Sequence, residues 1–183
     1  MDVNFVETAA EAIQPVVFEK ILGEKPGGGL VANPPYDIPI GTAVGMNGAD
    51  ISPIKSFRLL KANLVGDTSI DIAKGSGIVS GDFIGVGAKA VASTGLDETD
   101  AIKDAVTITL GVAIPNGTVL YQAAGASADA AVNIYTPLYL TGAKVYAGKG
   151  DQLVKLVNIA VVRKETVNAS LEVLALLTGI KAV

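Results

Sequence analysis

One short phrase recurs four times along this chain: glycine, then threonine or aspartate, one further residue, then a large apolar residue. It stands at Gly41-Thr42-Ala43-Val44, Gly81-Asp82-Phe83-Ile84, Gly117-Thr118-Val119-Leu120 and Gly150-Asp151-Gln152-Leu153. Glycine enters positive φ without a Cβ clash, and β-branched residues fit a pleated, half-buried surface, so each copy is expected to turn the chain and launch a strand. The intervals shrink from about forty residues to about thirty-three. That is too irregular for a solenoid and fits strands re-entering one antiparallel β-barrel or sandwich. Gly-Asp and Gly-Thr are also common turn pairs in any all-β protein, and that plainer reading stays open beside the first.

The expected fold is therefore mainly β, with an extended N-terminal arm and a short C-terminal helix. Residues 1–24 read as the arm, 25–36 as a linker and 37–183 as the β domain. In the arm, Thr8-Ala9-Ala10-Glu11 fits a capping box, but Pro15 interrupts the helical face and Val16-Val17-Phe18 prefers extended structure. The linker holds Lys25-Pro26-Gly27-Gly28-Gly29 and Asn33-Pro34-Pro35, whose glycines cost backbone entropy and whose prolines forbid helix. An arm carrying Phe5, Val6, Ile13, Val17, Phe18, Ile21 and Leu22 exposes large apolar groups unless it docks on a neighbouring subunit or another protein.

Strands are expected over residues 38–54, 56–64, 69–73, 78–86, 91–93 and 105–110, then 135–140, 144–146 and 152–163. Val106, Ile108 and Leu110 alternate with Thr107 and Thr109, which gives one buried and one wet face. Residues 152–163 are almost continuously apolar and so belong in the middle of a sheet. Residues 123–131, nearly all alanine, glycine, serine and aspartate, read as a mobile or contact loop. At the end, Asn168 or Ser170 as cap, leucines at three- and four-residue spacing, and Gly179 predict a short helix that covers one end of the body or meets a partner.

Composition narrows the function. Half of the 183 residues are apolar and only 17 % are charged, which excludes disorder along the whole chain. Alanine, glycine and valine dominate, and aromatics are 5 %. Such side chains suit thin sheets and subunit contacts better than a roomy ligand cavity. No apolar run reaches the roughly eighteen residues a spanning helix needs, and Met1-Asp2-Val3-Asn4 lacks the basic region of a secretory signal, which points to synthesis in the cytoplasm. A net charge of −4 argues against nucleic acid.

The chain has no histidine and no cysteine. Triad, thiolate and the commonest metal chemistry lose their usual carriers, and neither a cofactor nor a metal is expected. Asp97, Glu98, Asp100 and Asp104 form the densest acid group, but in a polar run without aromatic platforms they read as a solvated loop, with a calcium site as the minor alternative. Gly85-Val86-Gly87-Ala88-Lys89-Ala90 approaches a dinucleotide fingerprint without the helix that should follow, and Ala147-Gly148-Lys149-Gly150-Asp151 lacks the spacing of a phosphate loop. Both read as turns. Asn116-Gly117-Thr118 and Asn168-Ala169-Ser170 match glycosylation acceptors, which carry little weight without a secretory signal. No catalytic residue is expected.

With those residues in view, the chain resembles the head fibre proteins of tailed bacteriophages, especially those of phages and prophages of gut Bacteroidetes. The resemblance rests on Val79-Ser80-Gly81-Asp82-Phe83-Ile84, Thr94-Gly95-Leu96-Asp97, the run from Leu110 through Ile114-Pro115-Asn116-Gly117-Thr118-Val119-Leu120, and the ending from Val161-Val162-Arg163-Lys164-Glu165 to Gly179-Ile180. It covers roughly residues 39–183 in order. It implies a non-enzymatic virion protein on the capsid surface, bound to the major capsid protein and often a homotrimer. The long distal shaft of many fibre proteins is absent from this sequence, which favours a compact capsid decoration protein or fibre base. The alternative is a carbohydrate-binding or adhesin module, for which Tyr121, Tyr135, Tyr139 and Tyr146 would have to share one exposed face.

Overall fold

The computed structural model describes residues 16–48 and 50–183. All four glycines of the recurring phrase lie at positive φ, from 72° at Gly150 to 96° at Gly81. A strand begins two residues after each of them. In chain order the elements are β1 (Phe18–Glu24), β2 (Gly29–Val31), β3 (Ala43–Asn47), β4 (Asp50–Pro53), β5 (Ser56–Arg58), β6 (Ser69–Ala73), β7 (Phe83–Val86), β8 (Lys89–Ala92), β9 (Gly95–Asp97), β10 (Lys103–Thr107), β11 (Val119–Ala123), β12 (Pro137–Thr141), β13 (Gln152–Val154), β14 (Leu156–Val162), α1 (Leu171–Leu176) and β15 (Ile180–Ala182). The phrase launches β3, β7, β11 and β13.

Three copies share a longer frame, with an isoleucine three residues before the glycine: Ile38, Ile78 and Ile114, all buried. Each frame anchors its turn in a core and then makes the same two backbone bonds. The glycine N–H donates to a carbonyl on a neighbouring segment, and that segment's N–H donates to the residue after glycine. Gly41 and Thr42 do this with Thr141 (2.8 and 2.9 Å), Gly81 and Asp82 with Ser93 (3.0 and 2.9 Å), and Gly117 and Thr118 with Leu59 (2.9 Å each). Two frames go further: Ile38 exchanges a pair of bonds with Val145, and Ile114 with Asn63. These bonds begin the ladders β3–β12, β7–β8 and β11–β5.

The strands form four sheets, sandwich-like and almost wholly antiparallel. The largest runs β1-β14-β12-β3-β4, with β15 added parallel to the end of β14. The run expected to form one central strand over 152–163 divides: β13 lies on the two-stranded sheet with β2, and only β14 is central, with β1 along one edge and β12 and β15 sharing the other. The other sheets run β5-β11-β7-β8, β6-β10-β9 and β13-β2. Three cores fill the spaces between them. One joins β14, β12 and β11 to α1, the second lies under β5, β6, β10 and β11 around Phe57 and Ile72, and the third gathers Val31, Ile38, Val44 and Leu156. In the second core Val106, Ile108 and Leu110 point inward, and Thr107 and Thr109 are exposed.

Several expectations are corrected. The arm does not stay detached as far as residue 24, because β1 is antiparallel to β14 of its own chain, from Phe18 opposite Val162 to Glu24 opposite Val157. The linker is a turn followed by a strand: Gly28 N–H closes onto Lys25 O at 3.0 Å, and Gly29 opens β2 on β13. Only the last glycine of the run enters a regular element, where a Cβ on Gly29 would approach Leu156 and Ile51 within 3 Å, while Gly27 and Gly28 stay in the turn at positive φ. The small-residue stretch 123–131 is tied down by Ala90–Ser127 and Ala131–Ala88 backbone bonds. Strand pairing within residues 56–64 covers only β5 plus bridges at Leu59 and Asn63.

The C-terminal helix is one and a half turns, with Ser170 as its cap: the Ser170 Oγ accepts from Val173 N–H at 3.2 Å. Val173, Leu174 and Leu177 enter the first core, while Leu171 and Leu176 remain exposed. Ser170→Ala should lower stability by about 1 kcal/mol, read as a shift in the urea midpoint at unchanged m-value.

Candidate functional site

Three places were marked by the sequence: the arm, the tyrosines and the acid cluster. Of the arm residues, Phe5, Val6 and Ile13 lie outside the described residues. Val17 is buried, and Phe18 and Ile21 pack half-buried against the first core. Thr166 Oγ1 donates to Val16 O at 2.7 Å, and Arg163 pairs with Glu19, which fastens β1 to the turn after β14. Leu22 alone of the arm's described binding residues faces solvent, at 60 % exposure, and Ile159 on the neighbouring β14 is 44 % exposed.

The four tyrosines do not share one exposed face, since Tyr121 is buried and only Tyr121 and Tyr135 line a common cavity. Tyr121 and Tyr135 line a cavity of about 490 Å3 bounded by Gly87, Asn133, Glu172 and Leu176. Tyr121 is itself almost wholly buried: its ring lies on Gly85, where a Cβ would come within 2.3 Å of it, and its hydroxyl donates to Gly87 O at 2.8 Å. Tyr139 packs on the third core under Lys25, and Tyr146 lies beneath the ammonium of Lys144. No common sugar platform results.

The acid cluster also divides. Asp97 Oδ1 accepts from both Thr99 N–H and Thr99 Oγ1, and Asp100 Oδ1 accepts from the N–H groups of Ile102 and Lys103. These local bonds hold both carboxyls below the usual carboxylate range. Both are turn-capping groups at the surface. Asp104, by contrast, is 2 % exposed and pairs with Lys74 at 2.8 Å. Alternation along β10 explains this: Asp104 has the same parity as Val106, so it points inward. No group of acids among the described residues is arranged to hold a metal ion. Gly87 at positive φ simply turns β7 into β8, as the missing helix implies.

A fourth place was not visible in the sequence. On β5, Phe57 points into the second core while Ser56 and Arg58 point the other way, into a polar cleft of about 160 Å3. Tyr36, Thr42, Lys55, Lys74, Ser76 and Asn168 are among its other walls, and an adjoining hollow of about 270 Å3 shares Pro39, Arg58 and Asn168 with it. The contributing residues come from segments far apart in sequence, so no local motif could announce it.

No family model, no curated protein and no solved structure matches this chain.

Proposed function

We propose that the protein is a non-enzymatic structural component of a tailed-phage virion, a head fibre base or capsid decoration protein held to the major capsid protein in multiple copies. The observation that carries this reading is the place where the chain enters its fold. Residues 1–15 include Phe5, Val6 and Ile13 and contain no lysine or arginine. They lead directly into β1, an outer strand of the largest sheet, beside exposed Val16, Leu22 and Ile159. A leader carrying Phe5, Val6 and Ile13, joined to an outer strand that exposes Leu22 among charged neighbours, suits a contact that crosses onto another polypeptide, since an unpaired strand edge is a template for association.

The arm in this reading is shorter than residues 1–24. Its part from Val17 onward belongs to the body, and residues 1–15 with the Leu22 edge remain to do the binding. The body contributes a rigid block of short sheets built from small side chains. Stable shell contacts bury roughly 1,200–2,000 Å2, which a leader of this length and one sheet edge together can supply.

Light scattering on the purified full chain should give a trimer, and the chain should co-sediment with shells assembled from the major capsid protein. Leu22→Glu should weaken both at least tenfold without changing the far-ultraviolet spectrum, because Leu22 is exposed and contributes little to the core. A monomer indifferent to shells would exclude the reading.

A further inference from the structure

We infer that the cleft facing Ser56 and Arg58 binds a small hydroxylated carboxylate of the sugar-acid class. The cation comes first. Arg58 donates to two backbone carbonyls, Gly117 O at 3.1 Å and Val167 O at 2.9 Å, and to no carboxylate among the described residues. A guanidinium carries five N–H donors in a planar fork, so three remain uncommitted on a residue that lines the cleft. Burial pulls its pKa below the ordinary value while leaving it a cation.

The surrounding charges fix the class of anion. Lys55 is matched by Asp82, Lys74 by Asp104 and Lys144 by Asp37, at 2.8, 2.8 and 2.7 Å. Only the charge of Arg58 is left over. A monoanion balances it, whereas a phosphate dianion would lack a second cation. A planar carboxylate also matches the guanidinium fork.

The hydroxyl groups come from the wall. Ser56 is 6 % exposed, yet its Oγ has no hydrogen-bond partner among the described residues, and the buried Tyr36 hydroxyl has none either. Burial, with the nearby Asp82 charge, raises the Tyr36 pKa and keeps that hydroxyl a donor. Unpartnered buried polar atoms cost about 1–3 kcal/mol each, and here two of them lie just beneath the wall of the same small cleft, on residues that line it beside an uncommitted cation. A ligand hydroxyl beside the carboxylate would satisfy either one once it turns toward the cleft, as the Ser56 hydroxyl can by rotation about χ1.

The test is a titration of the full-length protein, followed by amide nuclear magnetic resonance, with glucuronate, glucose, acetate and inorganic phosphate in separate arms. Glucuronate is expected to shift the amides of Ser56, Arg58 and Asn168 and to saturate. Glucose, acetate and phosphate should each bind at least tenfold more weakly. Arg58→Gln should weaken glucuronate about ten- to a hundredfold, as loss of a charged hydrogen bond implies. Because Arg58 also ties Gly117 and Val167, Ser56→Ala provides the second variant, with several-fold weakening in a protein whose other amide positions are unchanged. Phosphate or acetate binding as tightly as glucuronate, glucuronate leaving these amides unmoved, or binding indifferent to both substitutions would overturn the assignment.

Discussion

Replacing Phe57 with alanine is expected to lower stability by about 3–5 kcal/mol, the largest loss of any single side-chain truncation in this protein. Phe57 is fully buried and heads the largest fully buried side chains. It is also the middle residue of a three-residue strand, opposite Leu120 of β11, so a cavity there is bounded by an element with little else to hold it. A domain of this size has about 5–15 kcal/mol in total, and the variant would approach the edge of folding at 37 °C. The measurement is the urea midpoint together with exchange of the β5 amides. A loss below about 1 kcal/mol would mean that the second core closes over the gap. Ser56 and Arg58 alternate with Phe57, so the variant should also loosen the polar cleft, linking core packing to that site through one strand.

What the sequence reveals here is local chemistry. The glycine phrases are legible because positive φ followed within three residues by a large apolar residue favours a turn into a strand, and all four launch strands. The central place of β14 follows from a run that is apolar except at Asn158, though the wider stretch 152–163 also holds β13, which pairs elsewhere, and the buried face of β10 follows from the Val-Thr alternation. Pairing is less legible because it depends on distant partners. β1 looked detachable from Pro15 and the glycine run, yet Val17 and Ile21 find their core on residues far along the chain. β2 was hidden by the glycines that let Leu156 pack closely. Asp104 looked like one more loop acid until its register on β10 turned it inward toward Lys74. The polar cleft has no local signature, since Tyr36, Ser56, Arg58 and Asn168 meet only once the sheets have formed.

The same long-range pairing gives the second large effect. Cutting the chain between Gly111 and Val112 into two separately expressed fragments should leave the C-terminal fragment unfolded and deprive the N-terminal one of its native amide spectrum. The recurring frame explains why. The first copy launches β3, which lies on β12 in the second fragment, and the third copy launches β11, which lies on β5 in the first. β1–β14 and β2–β13 cross the cut as well. Three of the four sheets are therefore built from both fragments, and only β6-β10-β9 lies within one. Isolated hairpins are marginal in water, so the N-terminal fragment keeps at most a loosened second core that lacks Ile114 and Leu120. Mixing the fragments should restore the native spectrum slowly, since non-local strand pairing must overcome loop-closure or association entropy before contacts repay it. A C-terminal fragment that folded alone would show that the two copies of the frame are adjacent units rather than interlocked ones.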